Sequence, residues 1–214
     1  MGKTVLAGAI AAALAARGEQ VAAFKPVLTG TDEPADPAWP PDDELLAAAT
    51  GQKPSAIAPH RFGPPVSPHL AAEMAGETID PAALLAAARA AASGADALVV
   101  EGVGGLLVPL APGYLVRDFA RELELPLLIA ARAGLGTINH TLLTLESARA
   151  AGLRVRGVVF TPWPAAAGAL EESNRATIAE LGEVQVATLA ALPDATPVSL
   201  AAAGASLALD EWLG

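Results

Sequence analysis

The chain contains no cysteine, and only 17% of its residues are charged. Without cysteine it can form neither a disulfide framework nor a zinc site built on thiolates. Basic residues are scarce as well: 13 lysines and arginines stand against 23 aspartates and glutamates, for a formal net charge of −10. An acidic surface argues against nucleic acid and anionic membranes, so we predict neither as a partner. The 53% hydrophobic content argues against a disordered chain.

Neither an internal repeat nor a linker divides the 214 residues, a length that fits one domain with a full core. The apolar stretch 5–16 imitates a secretory signal peptide, but it is too short to cross a bilayer. A strand-like segment follows it at the spacing of a strand–helix unit. We therefore predict a buried helix over residues 4–16 and a cytoplasmic protein.

Short β-rich segments alternate with helical ones along the chain. The predicted strands are residues 21–24, 97–100, 126–130, 155–160 and 184–188. The predicted helices are residues 4–16, 44–50, 81–93, 116–123, 138–151 and 170–181. Two proline-rich stretches, 32–41 and 54–68, are predicted as irregular connections. Apolar strands separated by helices predict a three-layer α/β fold, with a mostly parallel sheet between helices.

Ligands of such sheets bind where the strands end, so the residues after each strand are the candidates for function. The chain opens with Gly2-Lys3-Thr4, the last third of a phosphate-binding loop of the pattern G-x-x-x-x-G-K-S/T. In the full loop the lysine reaches the β- and γ-phosphates and the hydroxyl binds magnesium. The alternative interpretation is an ordinary capped helix start.

Charged residues follow two of the predicted strands. Lys25, fixed by the proline after it, could hold an anion between itself and Lys3, unless it is a solvated turn lysine. Glu101 ends strand 97–100 at a glycine-rich turn and suits magnesium, because hard cations prefer oxygen ligands. The glycines would let a phosphate approach the backbone. A solvent-facing acid is the alternative for Glu101.

Two further segments are candidates. Asp42 and Asp43 precede a helix, as N-caps or as a further magnesium carboxylate. The loop 134–140 leads into a helix N-terminus, which could bind a carboxylate, while His140 is interpreted as an ordinary first-turn residue. Arg61 is predicted to lie on the surface.

In order and spacing these segments resemble the dethiobiotin synthetase family over essentially the whole chain. The matching segments are Gly2-Lys3-Thr4, Lys25-Pro26-Val27, Thr29-Gly30, the aspartate near Asp42, Ser67-Pro68-His69, V-E-G-V-G-G at 100–105 and L-G-T-I-N-H-T at 135–141. The last two segments are the most specific.

The resemblance implies an ATP- and Mg²⁺-dependent cyclo-ligase of biotin synthesis that works as a homodimer. Its substrates would be 7,8-diaminononanoate, CO₂ and a nucleoside triphosphate. Carboxylation of one amine gives a carbamate, phosphorylation gives a carbamic–phosphoric anhydride, and the second amine closes the ureido ring.

The resemblance also assigns roles to residues. The catalytic cations would be Lys3 and Lys25. The magnesium ligands would be Thr4, Asp42 and Glu101. The nucleotide site would comprise Gly2, Lys3, Thr4, Asp42, Glu101, Gly102, Val103, Gly104 and Thr161. The substrate site would comprise Thr29, Gly136, Thr137, Ile138 and Asn139, the loop acting across the dimer interface.

The sequence departs from the family pattern at its start. The family begins with a strand and the front of the phosphate loop, and Met1 stands where a valine is expected. We expect about a dozen residues to precede Met1 in the native protein, adding a central strand and several phosphate-binding N–H groups. A chain with those residues is expected to bind nucleotide more tightly.

A second departure concerns the nucleotide base. Many family members carry an adenine-reading asparagine after the strand that matches residues 155–160, and here Thr161 stands in its place. A hydroxyl is a poorer match than an amide for the adenine edge. We therefore predict a relaxed or altered preference, with CTP as one alternative to ATP. Trp163 could stack on the base or serve only in packing.

Two other classes remain as alternatives. A P-loop switch ATPase would share Gly2-Lys3-Thr4, but the V-V-E-G segment at 99–102 lacks the aspartate of its switch. A non-catalytic nucleotide-binding remnant is disfavoured by the joint presence of Lys25, Thr29 and Glu101. The absence of cysteine excludes the related amidotransferases, which carry a glutaminase cysteine.

Overall fold

The computed structural model describes residues 2–34 and 39–213. The helices are α1 (Gly2–Ala16), α2 (Asp42–Thr50), α3 (Pro54–Ile57), α4 (Pro68–Ala75), α5 (Pro81–Ala91), α6 (Val116–Leu123), α7 (Thr137–Ala150), α8 (Ala169–Gly182), α9 (Pro197–Gly204) and α10 (Leu209–Leu213). The strands are β1 (Val21–Phe24), β2 (Val27–Thr29), β3 (His60–Phe62), β4 (Ala97–Val100), β5 (Pro109–Ala111), β6 (Tyr114–Leu115), β7 (Leu127–Ala131), β8 (Val155–Trp163) and β9 (Val186–Ala190).

The principal strands form two parallel sheets. β1 pairs with β4, and β8 pairs with β7 on one side and β9 on the other. β2 and β3 form a further parallel pair, whereas β5 and β6 form a small antiparallel one. Helix α1 contacts β4, β7 and β8, so it spans both parallel sheets. Helices cover the parallel strands, which confirms the predicted α/β fold class.

The alanine-rich sequence of α1 explains its central position. Ala9 and Ala11 are fully buried, and the small side chains let α9 pack closely against the helix. At the crossing, a β-carbon on Gly204 would collide with the Ala9 carbonyl, so only glycine fits there. This packing makes residues 4–16 a core helix, as predicted.

The sequence-based boundaries agree with the structure to within about three residues for the main elements. The prediction was wrong for 54–68, which was expected to be irregular but contains α3 and β3. The reason is that β3 is only three residues long and begins His60-Arg61, so it has no hydrophobic alternation. Part of the predicted 32–41 connection lies outside the described residues.

Between β4 and β7 the described residues form no ladder. Apolar residues of both strands, including Val99 and Leu128, nevertheless pack against the cluster around α1. The additional strand expected before Met1 stays a prediction. In the described part of the chain, no helix combines the length and hydrophobicity needed to cross a membrane.

Candidate functional site

Lys25 lies at the carboxyl end of β1 and is almost fully buried, with 5% of its side chain exposed. Its backbone N–H donates to the Ile57 carbonyl, which fixes the chain as it leaves the strand. Its Nζ donates to Asp42 Oδ2 at 2.5 Å and to Glu101 Oε1 at 2.8 Å. The ammonium therefore lies between two carboxylates from distant parts of the sequence, and the solvated-lysine alternative is wrong.

Thr4 and Glu101 complete the same cluster. Thr4 Oγ1, in the first turn of α1, donates to Glu101 Oε1 at 2.9 Å. The backbone N–H of Glu101 donates to the Phe24 carbonyl, so the parallel pairing of β1 with β4 fixes the position of Glu101 at the ends of these strands. Its Oε2 is buried, and among the described residues it has no hydrogen-bond partner. The Lys25 cluster, defined as Thr4, Lys25, Asp42 and Glu101, thus retains one unused acceptor.

Burial and charge shift the pKa values of the cluster in different directions. Burial lowers the pKa of Lys25, but the Glu101 and Asp42 carboxylates outweigh it and hold that pKa above its ordinary value. Burial likewise raises the pKa of Asp42, but the Lys25 charge overcomes it and the pKa ends below its ordinary value. At Glu101 burial prevails and, with the Asp42 charge, raises the pKa despite Lys25. The Glu101 carboxylate would therefore gain from a further cation.

The donor set of the Lys25 cluster fits magnesium. Within residues 2–34 and 39–213, no group of three or more His, Cys, Asp or Glu side chains could hold a metal ion by itself. Mg²⁺, however, is usually held by one or two carboxylates together with substrate phosphates and water. Asp42, Glu101 and the Thr4 hydroxyl are such oxygen donors, and the unpartnered Oε2 of Glu101 is an acceptor that a cation would satisfy.

The glycine-rich turn after β4 contributes main-chain groups, rather than side chains, to the candidate site. Val103 is buried, and the backbone of Gly104 has a φ of +63°. A β-carbon on Gly104 would lie 2.8 Å from Val108 Cγ2, so both the conformation and the space favour glycine. The turn is closed by a hydrogen bond from Val108 N–H to the Gly105 carbonyl at 3.0 Å. Gly102 follows Glu101 directly and leads into this turn.

The start of α1 touches the end of β8. A β-carbon on Gly2 would lie 2.9 Å from the Thr161 carbonyl oxygen, so the close approach requires glycine at this position. Thr161 is 4% exposed, and its methyl group faces Gly2. Lys3 is half-buried, and no side chain of the described chain pairs with its ammonium.

Trp163 contacts both an aromatic ring and a guanidinium group of this chain. Its ring lies 5.6 Å from that of Phe160, centroid to centroid, in a tilted arrangement. The Arg175 guanidinium carbon lies 6.0 Å from the Trp163 ring centroid, within the range of a cation–π contact. These contacts support the packing interpretation of Trp163.

The loop before α7 lies on an open groove with a volume of about 430 Å³. Three predicted substrate residues, Gly136, Ile138 and Asn139, line this groove together with Leu135, Leu142, Leu143, Glu146 and Asn174. Thr137 is buried instead, its Oγ1 3.4 Å from Thr141 Oγ1. Leu135 is 92% exposed and Leu143 is 56% exposed. We call this apolar, open region the α7 groove.

Thr29 is half-buried at the end of β2, opposite Phe62. In the described part of the chain, no hydrogen bond joins either Thr29 or the α7 groove to the Lys25 cluster. The structure therefore brings together Thr4, Lys25, Asp42 and Glu101 of the predicted phosphate and metal ligands, whereas within the described residues no hydrogen bond links the predicted substrate residues to them.

Two contacts that sequence reasoning missed hold these regions in position. Asn174, a buried residue of α8, donates from Nδ2 to the Ala133 carbonyl at 2.8 Å and thereby anchors the loop before α7. Arg61 lies on the surface as predicted, with 40% of its side chain exposed, but its Nη1 donates to Asp43, whose carboxylate is fully buried. A polar residue in the buried stripe of an amphipathic helix was the available signal for Asn174.

The chain is similar to known proteins over most of its length. A family model described as "AAA domain" matches residues 1–201. The ATP-dependent dethiobiotin synthetase BioD of Mycobacterium sp. (strain KMS) is 38% identical over 216 residues, covering 100% of this chain and 93% of that protein. The proteins of the same name from Haloferax mediterranei and Agrobacterium fabrum are 36% and 38% identical, and the matches cover 82% and 85% of their lengths.

Among solved structures, apo McdA of Cyanothece resembles the chain with a TM-score of 0.52 at 15% identity, covering 98% of this chain and 87% of McdA. A Cyanothece McdA–ATP complex gives a TM-score of 0.51 at 13% identity. At these identities the likeness concerns the fold alone, which is that of a P-loop ATPase.

Proposed function

The chain belongs to the dethiobiotin synthetase family, and on that premise we propose that it converts 7,8-diaminononanoate, CO₂ and ATP to dethiobiotin, ADP and phosphate. The observation that carries the proposal is the Lys25 cluster. It joins a helix-start hydroxyl, two carboxylates and a buried ammonium at the carboxyl ends of parallel strands. Ligands of open α/β sheets bind at that edge.

The proposed reaction has three steps. One amine of the substrate takes up CO₂ and loses a proton to give a carbamate. A carbamate oxygen attacks the γ-phosphorus of the nucleotide, and the bond to the β-phosphate oxygen breaks to release ADP. The second amine then attacks the carbonyl carbon of the carbamic–phosphoric anhydride, which closes the ureido ring and expels phosphate.

Phosphoryl transfer of this kind depends on positioning and on positive charge around the transferring group. Lys25 supplies that charge from a fixed position, and we assign Lys3 the same role from the start of α1. Because Lys3 has no side-chain partner in the described chain, it is available to an incoming phosphate. Bound Mg²⁺ would neutralise charge on the phosphates, held by Thr4, Asp42 and Glu101.

The backbone around Gly102, Val103 and Gly104 is assigned to the nucleotide, and Thr29 to the carbamate region. The glycines leave room for a ligand close to the main chain. The backbone of residues 136–139 is assigned to the carboxylate of the substrate, because free N–H groups at a helix start attract anions. An aliphatic chain between the two ends of the substrate suits an apolar groove.

We assign contact with the nucleotide base to Thr161. Its position against Gly2 at the start of α1 supports this role. A threonine hydroxyl has its donor and acceptor on one atom, whereas an amide has them on two atoms that can pair with the adenine edge together, so base discrimination should be weak. Steady-state rates with ATP, CTP, GTP and UTP test this, and a strong preference for ATP would contradict it.

We further propose that the protein works in the cytoplasm as a homodimer in which a second copy covers the α7 groove. Leu135 and Leu143 leave apolar surface open beside the residues assigned to the substrate. A partner copy placed there would bury that surface and close the substrate site from the other side.

The proposed activity is tested by measuring phosphate release in the presence of ATP, Mg²⁺, bicarbonate and 7,8-diaminononanoate. We expect release only when all four are present. Phosphate release that is independent of the diamine or of bicarbonate would instead indicate an ATPase and would overturn the proposal.

A further inference from the structure

Two neighbouring aspartates begin α2, and only one of them reaches Lys25. Asp42 Oδ2 accepts a hydrogen bond from Lys25 Nζ, whereas Asp43 Oδ2 accepts one from Arg61 Nη1. Asp43 is fully buried and its Oδ1 has no partner within the described residues, while Asp42 is 33% exposed. The two aspartates thus bind different cations: Asp42 shares Lys25 with Glu101, whereas Asp43 binds Arg61.

Successive residues of a helix point about 100° apart around its axis, so Asp42 and Asp43 cannot both face Lys25. A rotation of the first turn by one residue would exchange them. The cap holds this turn through its backbone alone, because the N-cap residue Pro41 makes no side-chain capping hydrogen bond. The first turn is held at its start by the hydrogen bond from Leu45 N–H to the Pro41 carbonyl.

Arg61 supplies a constraint from outside the helix. It belongs to β3, where it lies opposite Leu28 of β2 in the parallel pair. β2 follows Lys25 after a single residue. The Arg61–Asp43 pair therefore ties the first turn of α2 to the same stretch of backbone that carries Lys25 and Thr29.

We propose that Arg61 is a positioning residue, which holds Asp43 away from the Lys25 cluster so that Asp42 alone presents its carboxylate to Lys25 and to the magnesium–nucleotide. The inference rests on the proposed function for its ligand, but its geometry concerns this chain alone. Without Arg61 the buried Asp43 carboxylate would have no cation, and turning the helix start toward Lys25 or solvent would relieve it.

The first test measures binding of Mn²⁺ with the non-hydrolysable analogue AMP-PNP, by electron paramagnetic resonance, to the full chain and its variants. Arg61→Ala is expected to weaken Mn²⁺ binding about tenfold, in the range seen when residues that orient metal ligands are lost. Binding of AMP-PNP without metal should change by less than about twofold. The double variant Arg61→Ala/Asp43→Asn should recover most of the Mn²⁺ affinity, because no buried charge is left unpaired.

The matched control is Arg17→Ala, which also removes an arginine from an ion pair, with Asp210 at 2.6 Å, but far along the chain from the cluster. It should leave Mn²⁺ binding unchanged. If Arg61→Ala does not fold, Arg61→Gln replaces it, with a smaller loss expected in the same direction, while Arg61→Lys should retain affinity.

The second test needs no metal and no substrate. Hydrogen exchange of a peptide covering residues 42–50 should be faster in Arg61→Ala than in the unaltered chain, and should return toward normal in the double variant. If the single and double variants lose the same Mn²⁺ affinity, Arg61 contacts the nucleotide directly. If Arg61→Ala loses no Mn²⁺ affinity, Arg61 does not position Asp42. Either result overturns the inference, whereas failure to turn over 7,8-diaminononanoate overturns only the proposed function.

Discussion

The Lys25 cluster and the α7 groove are built in opposite ways. In the cluster, Thr4, Lys25, Asp42 and Glu101 come from four segments and contact one another directly, with Lys25 and Glu101 nearly inaccessible. The α7 groove comes mainly from one helix and the loop before it, and two of its leucines, Leu135 and Leu143, are largely exposed.

The difference between the two regions shows which part of the candidate site a single chain assembles by folding. The pairing of β1 with β4 brings Lys25 and Glu101 to one edge, so the folding of the chain is sufficient to assemble the region that we propose binds phosphate. In the α7 groove, the backbone is anchored by Asn174, but the surface around it is left open. We therefore assign the first region to a single protomer and the second to a pair of protomers.

The largest expected effect comes from removing the cation of the cluster. Lys25→Met should lower kcat by about 10³-fold, because a fixed positive charge at the transferring phosphoryl group is lost. The control is Lys53→Met, which removes an exposed lysine at the start of α3. Comparable rates in the two variants would show that the Lys25 cluster is not the phosphate end of the site.

Glu101→Gln should separate activity from stability. The change removes a proposed magnesium ligand, and the rate should fall by about 100-fold, with a higher Mg²⁺ requirement. The melting temperature should fall only slightly, because Lys25 keeps Asp42 as a counterion and the amide oxygen can still accept from Lys25 and Thr4, while the burial of a charge at this position is relieved. Glu180→Gln, at an exposed position of α8, is the control. A clear drop in melting temperature would make Glu101 structural.

Leu143→Glu tests whether the α7 groove forms the proposed dimer interface. A charge on this exposed leucine should dissociate the dimer and raise KM for 7,8-diaminononanoate about tenfold, while nucleotide affinity is kept, because burying an unpaired charge costs several kcal/mol. Light scattering measures the mass of the protein in solution, and steady-state kinetics give the KM. Met74→Glu, which charges an exposed apolar residue of α4, should do neither. If the unaltered protein is already monomeric, the α7 groove is not a dimer interface.

The smallest expected effect concerns Asp42 and pH. Because pairing with Lys25 outweighs burial and places the pKa of Asp42 below its ordinary 3.8, its contribution to stability is present above that pH. It is lost as the pH falls through the lowered value. Chemical denaturation of the unaltered chain and of Asp42→Asn should therefore give free energies of unfolding that converge in acid. A difference that grows as the pH falls would contradict the sign.

Sequence patterns predicted the parts of the molecule that hydrophobic periodicity controls. Strands 21–24 and 97–100 were placed without error, and with them Lys25 and Glu101, because a residue that follows a buried parallel strand has a fixed location. The choice between Asp42 and Asp43 could not be made from sequence, since either side chain can start a helix. It depends on Arg61, a partner 18 residues away in a strand too short to show a pattern.

The most direct test of the account follows a labelled carbon through the reaction. The unaltered protein is incubated with ¹³C-bicarbonate, ATP, Mg²⁺ and 7,8-diaminononanoate, and the products are analysed by mass spectrometry together with phosphate release. We predict dethiobiotin that carries the label in its ureido carbonyl, with one phosphate released per ring closed, and both products formed about 10³-fold more slowly by Lys25→Met. Phosphate release without labelled product would contradict it.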